Sequence, residues 1–117
     1  RIYRLRGRVL TQMSVDDSEP VPEGAGHGKP PLTQYLGVFP DELTLVPHLV
    51  KSALKPGDFY LLCSDGLTDL LPNVMIADCI RQHTSVRQIT EHLLRAALQN
   101  GGRDNVSVIG IKINELR

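Results

Sequence analysis

The sequence predicts an α+β fold built on an antiparallel or mixed sheet. Three observations carry this. The patterns run in the order strands, loop, strands, two helices, strand, which is not a βαβ alternation. Two stretches, "FYLLC" (59–63) and "NVSVIGIKI" (105–113), are apolar on both faces, so each strand expects cover on both sides, by helices and by a second sheet. The chain has 117 residues, enough for one domain and not comfortably for two.

Each element has its own signal. Ile2 to Leu5 and Arg8 to Thr11 read as short strands turned at Arg6-Gly7. Residues 14–34 hold most of the prolines and many of the glycines and read as a long loop, of the kind that is functional or mobile. His27 and His48 stand isolated and read as solvated. "TLVPHLVKSAL" (44–54) reads as extended, with Pro47 favouring an edge or a bulge. "KPGD" (55–58) has the Pro-Gly pair of a type II turn. It leads into Phe59–Cys63, where Phe59, Leu61 and Cys63 point one way and Tyr60, Leu62 and Ser64 the other. Asn73 is the expected N-cap of "VMIADCIRQ". Ser85 and Gln88 have capping-box spacing, and Val86, Ile89, Leu93 and Ala97 follow at helical intervals until Gly101-Gly102 stops the helix. In the last strand Ser107, Ile109, Ile111 and Ile113 share one face, and Val106, Val108, Gly110 and Lys112 the other.

Thirteen basic and thirteen acidic residues cancel, which removes the electrostatic case for nucleic acid or an anionic membrane as partner. No apolar run approaches the ~18 residues of a membrane span. Cys63 and Cys79 are too few for a disulfide framework and read as buried thiols in a reducing compartment. The chain opens at Arg1 directly on a strand pattern, as expected of a piece of a longer protein cut within an element.

Two acids break the pattern. Asp65 sits just beyond the strand 59–63, and Asp104 just before the strand that follows it. Both stand beside glycine, in Asp65-Gly66 and in "GGRDN" (101–105). If the two strands are antiparallel neighbours, the two carboxylates converge. Converging carboxylates repel, and need a shared proton or a cation; Mg²⁺ or Mn²⁺ suits oxygen ligands of this kind. Each motif alone also reads as a plain turn, the second as a helix stop followed by a turn. Asp69 reads as a helix-start acid, and Asp16 and Asp17 as solvated loop residues.

Together, "LKPGDFYLLCSDGLTDLL" and "NGGRDNVSVIGIKI" resemble the carboxy-terminal half of the metal-dependent Ser/Thr protein phosphatases, the PP2C (PPM) family. "RIYRLRGRVLTQMSVDDS" and "PLTQYLGVFPDE" extend the likeness over nearly the whole chain. The resemblance implies part of a four-layer αββα sandwich, mainly antiparallel sheets flanked by helices. It implies that Asp65 and Asp104 are metal ligands, that Gly66 keeps the turn tight beside the metal, and that Asn105 supports the second ligand. Residues 14–34 fall where the family carries its flap, and here Asp16-Asp17-Ser18 replaces the family's Asp-His-Ser. The family's amino-terminal aspartate and phosphate-binding arginine have no counterpart, so residues 1–117 are expected to be the carboxy-terminal portion of one domain. The resemblance further implies two or more Mn²⁺ or Mg²⁺ ions in the intact domain, phosphorylated proteins as partners and substrates, and hydrolysis of phosphoserine and phosphothreonine. The isolated piece is expected to be inactive and to self-associate through uncovered strands. A prokaryotic, cytoplasmic origin is expected from its short segments.

Two other readings stand beside this one. Haloacid-dehalogenase-like phosphatases carry Asp-x-Asp-Gly after a strand, but Cys63 occupies the nucleophile position here and no βαβ pattern follows. A phosphatase-like domain that binds phosphoproteins without turnover would share every motif above.

Overall fold

The computed structural model describes residues 1–21, 23–24 and 28–117; the expectation for His27 lies outside them. The chain divides into two compact units, Arg1–Ser14 with Val50–Arg117, and Val15–Leu49.

The larger unit holds all the regular structure. Strands β1 (Ile2–Arg6), β2 (Val9–Gln12), β3 (Phe59–Cys63) and β4 (Val108–Lys112) form one sheet in the order β2-β1-β3-β4, with every pairing antiparallel. Helices α1 (Asp65–Thr68), α2 (Asn73–Gln82) and α3 (Val86–Gln99) lie between β3 and β4 in sequence. This is the expected α+β class, as one sheet with one helical layer. The hairpin turns at Gly7-Arg8, one residue later than expected, because Arg6 stays in β1 and pairs with Val9.

Tyr3, Leu5, Phe59 and Leu61 project from one face of the sheet into a core shared with Leu67, Leu71, Ile76, Ile80, Ile89 and Leu93. Gly110 marks where α3 seats on β4. A Cβ there would lie 2.8 Å from Phe59 Cζ and 2.9 Å from Val86 Cγ1, so only glycine admits the helix at this distance. Gln88 N–H donates to Ser85 Oγ at 3.1 Å, as its spacing predicts. At the other end of α3, Gly102 N–H reaches the Ala97 carbonyl and Gly101 N–H that of Leu98, a Schellman stop with both glycines at positive φ.

Several expectations are corrected. Asn73 is the first residue of α2, and Pro72 occupies the cap position. Asn73 Oδ1 instead accepts from the buried Tyr3 hydroxyl at 3.0 Å, a partner such a hydroxyl requires. Asp69 closes the one-turn helix α1, which had not been expected, and Asp65 is its first-turn acid. Residues 44–54 form no strand: Pro47 removes a donor, and no described strand pairs with the segment. Ile109 and Ile111 are 59% and 46% exposed, so β4 is covered on one face only. Cys63 and Cys79 are half-buried free thiols, and burial holds both above their ordinary pKa.

The "KPGD" turn has the expected form, with Gly57 at φ 90° and Asp58 N–H bonded to the Lys55 carbonyl. Asp58 is more than a turn residue. It is 2% exposed and takes two bonds from the Arg6 guanidinium, at 2.8 and 2.7 Å, and one from Lys55 N–H at 2.9 Å. The Arg6 bonds outweigh burial and hold the Asp58 pKa down at about 2.

In the smaller unit, Ser18 and Leu32 form an antiparallel bridge, and Thr33 N–H donates to the Asp17 carbonyl. His48 Nε2 donates to Asp17 Oδ1 at 2.7 Å, so neither side chain is the merely solvated loop residue expected. Among the described residues, no helix is long and apolar enough to cross a membrane.

Candidate metal centre

The antiparallel pairing of β3 with β4 sets the site. Its register places Cys63 opposite Val108, so the carboxy end of β3 lies beside the amino end of β4. Asp65 follows the first of these ends and Asp104 precedes the second. The geometric condition for convergence stated from the sequence is therefore met, and both residues are exposed at this end of the sheet.

The two segments touch closely. A Cβ on Gly66 would stand 2.2 Å from the Asn105 carbonyl oxygen and 3.0 Å from its carbon. Any side chain at position 66 would push the Asp104-Asn105 segment away. Asp104 Oδ1 accepts from Asn105 N–H at 2.7 Å, which orients the carboxylate. Asn105 thus supports Asp104 through its backbone.

Ser64, expected only to share the face of Tyr60 and Leu62, joins the same two segments three times. Its N–H donates to the Ser107 carbonyl at 3.0 Å and extends the ladder past Cys63. Its hydroxyl accepts from Ser107 N–H at 3.0 Å and donates to the Asn105 carbonyl at 3.2 Å. The only signal for this in sequence is the serine directly before Asp65.

The donor set fits a divalent hard cation in kind: carboxylate oxygens on rigid strand ends, beside backbones held in close approach. Among the described residues, no group of three or more His, Cys, Asp or Glu side chains could hold a metal ion.

Comparison with known proteins bears on the same segments. Residues 28–106, well over half of the chain, match the family model described as Protein phosphatase 2C. The Ser/Thr protein phosphatase PstP of Mycobacterium tuberculosis is 33% identical over 118 residues, covering 93% of this chain and 22% of PstP. Protein phosphatase PhpP of Streptococcus pneumoniae is 33% identical over 126 residues, covering 98% of this chain and 50% of PhpP. A structure of the PstP catalytic domain in complex with two manganese ions superposes with a TM-score of 0.76 at 31% identity, over 98% of this chain and 50% of that one. The Ser/Thr phosphatase of S. agalactiae superposes with a TM-score of 0.84 at 26% identity, over 97% of this chain and 50% of that one. The chain spans half or less of the length of each of these proteins. With the antiparallel sheet, its helical layer and both aspartate motifs in place, the chain belongs to the protein phosphatase 2C family.

Proposed function

We propose that the protein to which these residues belong is a metal-dependent phosphatase that hydrolyses phosphoserine and phosphothreonine on proteins, with Mn²⁺ or Mg²⁺ as cofactor. The observation that carries this reading is the joint position of Asp65 and Asp104 at one end of an antiparallel strand pair, in a chain of this family. The names of PstP and PhpP, and the two manganese ions of the PstP catalytic domain, support it.

In this reading Asp65 and Asp104 are the chain's metal ligands and hold one ion between them. Bound there, a divalent ion supplies Lewis acidity and brings the pKa of water toward neutrality. The chain's own part is to bind and to hold still. Gly66 admits the close approach of Asn105, and the Asn105 N–H fixes the Asp104 carboxylate. The exposure of both acids leaves room for a phosphate carried on another protein.

Residues 1–117 form the carboxy-terminal portion of one such domain in this proposal, and the half-length coverage of its structural relatives supports that. Residues 14–34 stand in chain order where the family carries its flap in this proposal. Two carboxylates do not complete the coordination of a hard cation, so these residues alone release no phosphate.

The test is phosphate release from a phosphothreonine peptide by the intact protein, with and without Mn²⁺, beside Asp65→Asn. Release that depends on Mn²⁺ and falls about 100-fold or more in the variant is the expected result. An undiminished rate in Asp65→Asn removes Asp65 from the site. No release with any metal favours the phosphoprotein-binding reading.

A further inference from the structure

Ser64 occupies the N-cap position of α1, with φ −75° and ψ 167°. A serine in that position ordinarily turns its hydroxyl onto the N–H of the second or third helical residue. Here it makes no such cap. The hydroxyl is directed across the strand pair instead, accepting from Ser107 N–H and donating to the Asn105 carbonyl. One side chain thus uses a donor and an acceptor to tie the residue before Asp65 to the residues flanking Val106.

The Gly66 contact points the same way. The Asn105 carbonyl that Ser64 holds is the group a Cβ at position 66 would strike at 2.2 Å. Ser64 draws the Asn105 segment in, and Gly66 leaves space for it to arrive. Asp65 lies between these two residues, and Asp104 is bonded to the N–H of Asn105. Ser64 and the Asn105 peptide thus link the residues that carry the two carboxylates.

We propose that Ser64 is a positioning residue of the metal centre: its hydroxyl is the cross-link that holds Asp65 and Asp104 at the spacing one divalent cation requires. This rests on the metal-site reading above. Ser64 contributes no ligand and touches no substrate. Its hydroxyl adds two side-chain bonds to the backbone bond that already joins Ser64 to Ser107, and so preorganises the pair. Loss of such a supporting bond typically weakens metal affinity about 10- to 100-fold.

The experiment is a Mn²⁺ titration of the intact protein, read from the paramagnetic resonance signal of free Mn²⁺, for wild type, Ser64→Ala, Ser64→Thr and Asp65→Asn. Each protein is also melted in excess EDTA. The expected result is a loss of Mn²⁺ affinity of about tenfold or more in Ser64→Ala, recovery in Ser64→Thr, which keeps the hydroxyl, and near-equal melting temperatures in EDTA. Wild-type affinity in Ser64→Ala beside a loss in Asp65→Asn overturns the positioning role and leaves the metal site standing. Wild-type affinity in Asp65→Asn overturns both. A melting temperature in EDTA that falls in step with affinity in Ser64→Ala overturns the proposal in favour of a purely structural serine.

Discussion

Tyr3, Leu5, Phe59 and Leu61 face the helices and are buried, while on the opposite face Ile2 of β1 and Ile109 and Ile111 of β4 are 40%, 59% and 46% exposed. The two faces are made of similar residues and differ in what lies over them. On the helix side, α2 and α3 bring Ile76, Ile80, Ile89 and Leu93 down onto the strands. On the other side Arg4 pairs with Tyr60, and Arg4 Nε and the Tyr60 hydroxyl are buried without a hydrogen-bond partner among the described residues. Buried polar atoms in that state are rare in finished interfaces. The comparison teaches that an apolar strand face states a demand for cover, and that its burial depends on what the rest of the molecule supplies.

The comparison is broken most sharply by truncating one residue from each face and measuring urea unfolding. Leu61→Ala leaves a cavity in the closed core and should cost about 3 kcal/mol. Ile109→Ala, at the other extreme, should cost about 0.5 kcal/mol or less. Equal losses would contradict the two-face account.

Arg6 follows Ile2 and Arg4 on the open side and bonds Asp58 through two guanidinium nitrogens. Arg6→Ala leaves the buried Asp58 carboxylate without its main partner and should lower the urea midpoint. The pH dependence gives the same test with a sign. Because the folded Asp58 pKa lies near 2, below its unfolded value of about 4, its contribution is present above about pH 4 and lost as pH falls toward 2. Thermal melts across that window should fall more steeply for wild type than for Arg6→Ala.

The smallest effect on the closed side is Ser85→Ala, which removes the side-chain N-cap of α3 and should cost about 1 kcal/mol by the same unfolding assay.

What was legible in the sequence divides along the same line. Local signals were read correctly: the Ser85 cap, the Gly101-Gly102 stop, the "KPGD" turn and the span of β3. Signals that depend on a distant partner were not. Asn73 has the chemistry of a cap, yet the Tyr3 hydroxyl, 70 residues away, takes its side chain. Asp58 reads as a turn residue until Arg6 is seen beside it. The valines and leucines of 44–54 have strand propensity but no strand to pair with. The strand-end positions of Asp65 and Asp104 were legible, because an acid there interrupts an otherwise apolar pattern. Ser64 was not, because its role follows from the β3–β4 register.

The central claim is that these two strand ends serve one ion. Mn²⁺ binding to the intact protein tests it through Asp65→Asn, Asp104→Asn and the double variant. If one ion is held by both carboxylates, each single change removes most of the affinity and the double variant binds little worse than either single. Strict additivity, each acid weakening binding by its own independent factor, would contradict the shared site.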